Sequence, residues 1–130
     1  MSGVRTLLQA AIAARLSATL TGVRVLDAPP GRIGGPFAVV DDPVLTDWST
    51  KTWAGREGRL IVLLYDGGER PVRLRGVCDA VEAALADPPP LAEGWRIVRL
   101  TFVRSRMAEI ATDRWRAAVE FQVRMVREDS

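Results

Sequence analysis

"WRAAVEFQVRMV", residues 115–126, carries Trp115, Ala117, Val119, Phe121, Val123 and Met125 at alternate positions, with Arg116, Glu120, Gln122 and Arg124 between them. Period two over this length marks a strand with one dry and one wet face, because successive side chains of a strand point to opposite sides. Such a strand needs partners along both edges and a cover for its apolar face. The remaining sequence must supply both.

Upstream, "WRIVRLTFV" (95–103) places Val98, Leu100 and Phe102 on one side and Arg99 and Thr101 on the other. Strands over 95–104 and 114–127, joined by "SRMAEIATD", are expected to pair antiparallel. "RLIVLLY" (59–65) is a continuous apolar run followed by Asp66, Gly67 and Gly68, and its length favours a central strand over a helix. "PFAVVDD" (36–42) reads as a further strand, ending near Pro43 or passing it as an edge.

Two segments change to helical period. In residues 4–18, Val4, Leu7, Leu8, Ala11, Ile12 and Leu16 form one stripe. A second helix starts at Pro71, whose missing N–H suits a first turn, aligns Leu74, Val77, Cys78, Val81, Ala84 and Leu85, and stops at "DPPP". Between the helices, the glycines and prolines of residues 19–36 force an irregular connection with a short extended piece at "VRVLDA". The expected order is α, β, β, α, β, β: one α+β domain over 1–130, with about four mainly antiparallel strands and both helices packed on one face.

With 130 residues and 48% hydrophobic content, the chain has room for one core. Its 18 basic and 16 acidic residues leave a charge of +2, too even for a dedicated binder of nucleic acid or anionic membrane. All the basic residues but Lys51 are arginines, which suit bidentate contacts across protein surfaces, and they mostly alternate with acids along the sequence. A single cysteine excludes an internal disulfide, and "MSGVRTLLQAAIAARL" lacks the layout of a signal peptide. No apolar run approaches the length needed to cross a bilayer. A soluble cytoplasmic chain is therefore expected.

Residues for catalysis are scarce. There is no histidine, which removes the commonest general base and most zinc sites. Cys78 lies on the apolar stripe of the second helix, where packing outweighs nucleophilic reactivity. Asp41 and Asp42 are adjacent at a strand end and point apart, and Glu128 and Asp129 belong to a tail expected to fray. "GRIGGP" and "AGREG" match no phosphate-binding fingerprint, and no calcium-loop spacing occurs. No catalytic residue, metal ligand or cofactor is expected.

"TDWSTKTWAGREG" (46–58) has no apolar period, yet it holds Trp48 and Trp53. Tryptophan and arginine are enriched in interface hot spots, so an ordered arm or hairpin tip at about 43–58 reads as a contact with another subunit. Its candidates are Trp48, Thr50, Lys51, Trp53, Arg56 and Glu57. The competing reading folds one or both indoles back as lids on the core.

The succession "LQAAIAARL", "VLDAPP", "GGPFAVVDD", "TDWSTKT", "GREGRLIVLLYD", "VRLRGVCDAVEAAL" and "WRIVRLTFVRSRM" resembles the tail-completion or tail-terminator family of long-tailed phages and gene transfer agents. The likeness runs from about Val4 to Val126 and is most specific in "DWSTKT" with "GRE" after it. Trp53 departs from it, standing where a smaller residue is expected. The resemblance implies a hexameric ring that caps the tail tube, stops its polymerisation and joins it to the head connector, without catalysis. Implied partners are identical copies, the tail tube protein and the connector, with DNA passing through the lumen unbound and no membrane involved. The implied location is the head–tail junction of a virion or phage-like particle assembled in the bacterial cytoplasm. In such a ring Arg116, Glu120, Gln122 and Arg124 would face the lumen or a neighbouring subunit. Two rivals remain: a head-side stopper of the same particle, and a small enzyme or ligand-binding domain, whose first sign would be a deep pocket of convergent acids.

Overall fold

In a computed structural model that describes residues 3–29 and 34–128, eight elements follow one another: α1 (Val4–Thr19), β1 (Arg24–Leu26), β2 (Phe37–Val40), β3 (Val44–Asp47), β4 (Trp53–Gly67), α2 (Val72–Ala84), β5 (Trp95–Ala111) and β6 (Arg114–Glu128). The strands form one sheet in the order β1-β2-β4-β6-β5, and β3 also pairs with β4. Only β1 and β2 run parallel. One side of β4 is taken by β6 along its whole length. The other side is shared, with β2 opposite Val62–Tyr65 and β3 opposite Arg56–Arg59.

The α+β class and both helices stand as expected, but the sheet has six strands where about four were expected. The additions, β1 and β3, are three and four residues long, too short to display a period. The chain bends after Val40 and resumes beyond Pro43 as β3. Strand β4 begins at Trp53, well before Arg59, because Gly55 and Gly58 continue the pairing where no apolar signal exists. A Cβ at Gly58 would collide with the Val44 carbonyl, so the close approach of β3 requires glycine there.

The segment "SRMAEIATD", expected as a connection, extends β5 as far as Ala111 instead. Only Thr112 and Asp113 turn, with Asp113 at φ 55°, a left-handed conformation that aspartate tolerates. Glu128 is not part of a frayed tail, since it ends β6 opposite Trp53. Asp129, like the start of the "GRIGGP" turn, lies outside the described residues.

The core forms where the two periods meet. Ala117, Val119, Phe121, Val123 and Met125 of β6 lie beside Leu60, Val62 and Leu64 of β4 and Ala38 and Val40 of β2. Leu8, Ile12 and Leu16 of α1 and Leu74, Val77, Cys78 and Val81 of α2 cover them. Each large aliphatic side chain buried here contributes about 1.5–3 kcal/mol relative to exposure. Polar ties then orient α1. The Arg5 and Gln9 side chains donate to the carbonyls of Pro43 (2.6 Å) and Val40 (3.0 Å). Arg15 donates to those of Ala84 (3.0 Å) and Asp87 (2.7 Å), satisfying acceptors at the end of α2.

The packing on one face also differs in detail from expectation. The helices cover β2, β4 and β6 but leave β5 largely bare. Burial is not confined to the helix side either. Phe37 and Val39 alternate with Ala38 and Val40 yet are buried, and Phe37 stacks on Tyr65 at 4.8 Å.

Candidate functional site

On the face of the sheet away from the helices, the two groups of candidate residues meet. Glu57 of β4 and Arg124 of β6 are register partners, and the Arg124 Nε donates to Glu57 Oε1 at 3.0 Å. The Arg124 guanidinium also lies 4.9 Å from the centre of the Trp48 ring, which in turn meets Trp53 edge-on at 5.1 Å. Since Arg124 sits between the inward Val123 and Met125, this cluster belongs to the polar face. Both indoles are half-buried and stand outside the apolar cluster under the helices.

The arm that carries them is the turn between β3 and β4. Trp48 N–H donates to Gly55 O and Thr50 N–H to Trp53 O, each at 2.9 Å. Ser49 Oγ donates to Asp47 Oδ1 at 2.6 Å and accepts from Gly55 N–H at 3.0 Å. That hydroxyl holds the Asp47 carboxyl below its ordinary range; burial opposes it, and the charge of the Arg56 guanidinium 3.0 Å away adds to the lowering. The tip is ordered by its own polar contacts. Thr50 and Lys51 are its exposed apex, with Thr50 Oγ1 within 3.4 Å of Thr52 Oγ1.

Farther along the polar face, Glu120 bridges Arg104 at 3.1 Å and Arg59 at 3.6 Å. Gln122 is half-buried beside this pair, whereas Arg116 is exposed toward the far end of β6. The arginines do not alternate with acids in space as they do along the sequence. Arg59, Arg96, Arg99, Arg104, Arg106, Arg116 and Arg124 gather on this face, where the acids among the described residues are Glu57, Glu120 and, at its end beside Arg96, Glu128. Many of the acids lie elsewhere: Asp27, Asp41 and Asp42 at the β1–β3 edge, and Asp79, Glu82 and Asp87 on or just after α2. The near-neutral total conceals a basic face and an acidic remainder.

An ion pair on a buried carboxylate has no forerunner in the sequence, where Asp66 stands only as the residue that follows the apolar run 59–65. Asp66 is only 6% exposed and accepts from Arg73 Nε at 2.8 Å, from Arg73 Nη2 at 2.6 Å and from Gly67 N–H at 2.8 Å. The carboxylate raises the pKa of Arg73 through these hydrogen bonds and its charge. Gly35 lies so close that a Cβ there would stand 2.7 Å from both Asp66 Cα and Tyr65 O. The pair locks the end of β4 to the start of α2. A bidentate Arg–Asp contact seven residues apart across a turn has no sequence signature.

Little resembles a reaction centre. Burial first, then the charges of Asp79 and Glu82, push the Cys78 thiol up, so it stays protonated and poorly nucleophilic. It borders an open cleft of about 360 Å³ between α2 and β5, where Asp79 is the one acid among Arg75, Ser105, Arg106 and Met107. Asp41 and Asp42 are exposed, and Asp41 Oδ1 merely accepts the Asp42 N–H at 3.0 Å. Among the described residues, no three His, Cys, Asp or Glu side chains are grouped to hold a metal. None of the described helices is long and apolar enough to cross a membrane.

The family described as Tail completion protein gp17 matches residues 5–126. Among solved structures, a chain of the "Virion of native gene transfer agent (GTA) particle" superposes with a TM-score of 0.83 at 25% identity, over 97% of this chain and 99% of that one. No curated protein matches.

Proposed function

The chain belongs to the tail completion protein gp17 family, and from that membership we propose that it is the tail terminator of a phage or phage-like particle. Copies close into a hexameric ring that caps the tail tube, ends its polymerisation and presents a surface to the head connector. The observation that carries this reading is the likeness to a chain of a gene transfer agent virion over nearly the full length of both chains. A structural role of this kind needs no reaction centre, and buried, protonated Cys78 with dispersed exposed acids agrees with that.

The charge distribution refines the ring. A lumen that lets DNA slide should not hold phosphates, because each arginine–phosphate contact adds salt-dependent affinity. The polar face, rich in Arg99, Arg104, Arg106, Arg116 and Arg124, is better suited to an acidic protein surface. We therefore assign Arg116, Glu120, Gln122 and Arg124 to the neighbourhood of a subunit contact. The tip with Trp48, Thr50, Lys51 and Trp53 is assigned to the tube or to the next copy.

Deleting the chain from a particle-producing strain tests the function. Electron microscopy should show tails of irregular length that fail to join filled heads. Tails of normal length joined to heads would overturn the proposal. Free tails of normal length beside filled heads would indicate a head-side stopper instead.

A further inference from the structure

The sheet has two free edges, β5 on one side and β3 with β1 on the other. Among the described residues, every exposed large apolar side chain except Val72 lies on one of them: Val44 on β3, and Val98, Phe102, Val103 and Ile110 on β5. On β5 the pattern is specific. Val98, Val103 and Ile110 are the three residues skipped in the pairing with β6, one at each register shift. A bulge leaves its residue unpaired and twists the strand, which blunts an edge against simple strand addition. Three bulges would suffice for protection with polar residues in them. Here each displays a β-branched apolar side chain, 42%, 38% and 47% exposed in chain order, on a strand that also carries Arg96, Arg99, Arg104 and Arg106.

The opposite edge carries the complementary pattern. Val44 is 69% exposed, with Asp41 and Asp42 before it and Asp47 after it. Among the described residues, no ion pair engages Asp41 or Asp42, and none engages Arg99 or Arg106. One edge therefore offers apolar groups flanked by unpaired cations, and the other an apolar group flanked by unpaired anions.

We infer that the bulged β5 edge of one copy docks, side chain to side chain, on the β3 edge of a second copy, with Val103 near Val44 and the cations on either side of it, Arg99 and Arg106, drawn to the acidic edge that holds Asp41, Asp42 and Asp47. The inference rests on the ring reading and names the surfaces that would close it. Because the two edges differ, the contact is heterologous. A docked pair still presents one free β5 edge and one free β3 edge, so addition continues until the ring shuts. The bulges assign the contact to side chains, which keeps β5 from pairing with unrelated strands.

Charge reversal tests it. R99E/R106E and D41R/D42R should each weaken self-association at least tenfold, read by sedimentation of the purified chain and by cross-linked mass within particles. The chain carrying all four substitutions should recover, as should an equimolar mixture of the two variants, because both restore opposite charges across the contact. Melting temperatures should stay near the parent value, since these four side chains are exposed. If a reversed variant does unfold, the salt dependence of the parent chain decides: association that does not weaken with added salt overturns the proposal. Parent rings that ignore both reversals would refute these surfaces and leave the ring intact. A parent chain that is monomeric in solution and yields no cross-linked multimers from particles would refute the ring itself, and this contact with it.

Discussion

Strands β5 and β6 run side by side over nearly the same length, yet one buries every second residue and the other almost none. Strand β6 lies between β4 and β5 under α2, so its apolar positions meet neighbours on both sides and above. Strand β5 lies at the edge, where the helices do not reach, and three bulges break its alternation. Phe121 and Phe102 are register partners in edge-to-face contact, with centroids 6.1 Å apart, but their exposures are 2% and 41%. The contrast separates the part of the molecule that forms its core from the part that its own helices leave uncovered.

Truncations should expose that division. Phe121→Ala should destabilise the chain by about 3–5 kcal/mol in denaturant unfolding, whereas Phe102→Ala, losing mainly an aromatic contact, should cost about 1 kcal/mol. Equal costs would mean that β5 is as much core as β6. Next in size is the lock on the covered half: Asp66→Asn removes charge-assisted hydrogen bonds from a buried site and should cost about 2 kcal/mol by the same measurement.

The tip lies between the two regimes. Trp48→Ala forfeits the contact with Trp53 and the stacking of Arg124, and should lower monomer stability by about 1 kcal/mol while impairing particle assembly more severely. A larger loss of stability with normal assembly would make the indole pair purely structural. At the bare edge, V103S/I110S should change monomer stability by less than about 0.5 kcal/mol per site and still reduce incorporation into particles, measured by quantitative blotting. The smallest effect concerns acid. The Asp47 carboxyl is lowered in the folded chain, so its contribution is complete above the ordinary value of 3.8 and is lost as pH falls through the lower folded value. Tryptophan fluorescence from the tip should change in that window, and Ser49→Ala should move the change upward.

The legible parts were those in which burial is one-sided and uninterrupted. Strand β6, the centre of β4 and both helix stripes announced themselves, because a continuous dry face imposes a period on the residues that line it. The family was legible as well, through the segments around Asp47 to Glu57 and their order along the chain. Strand β3 and the first third of β4 were not, since Gly55, Gly58 and polar side chains hide a pairing made by backbone. The extent of β5 was hidden by bulges and by a turn of Thr112 and Asp113 that contains neither glycine nor proline. Of the candidate residues, the tip and the β6 arginine row were found separately, and nothing in the sequence joined Trp48 to Arg124.

By itself the sequence determined the α+β class, the helix faces, the central strands, the family and the absence of histidine chemistry, all of which follow from residue identity and local spacing. Tertiary structure alone decided that Glu57 meets Arg124, that Asp66 is buried against Arg73, and that the arginines collect on one face. Those outcomes depend on register between strands distant in the chain, and register is set by packing and hydrogen bonding across the whole sheet, to which local spacing is blind.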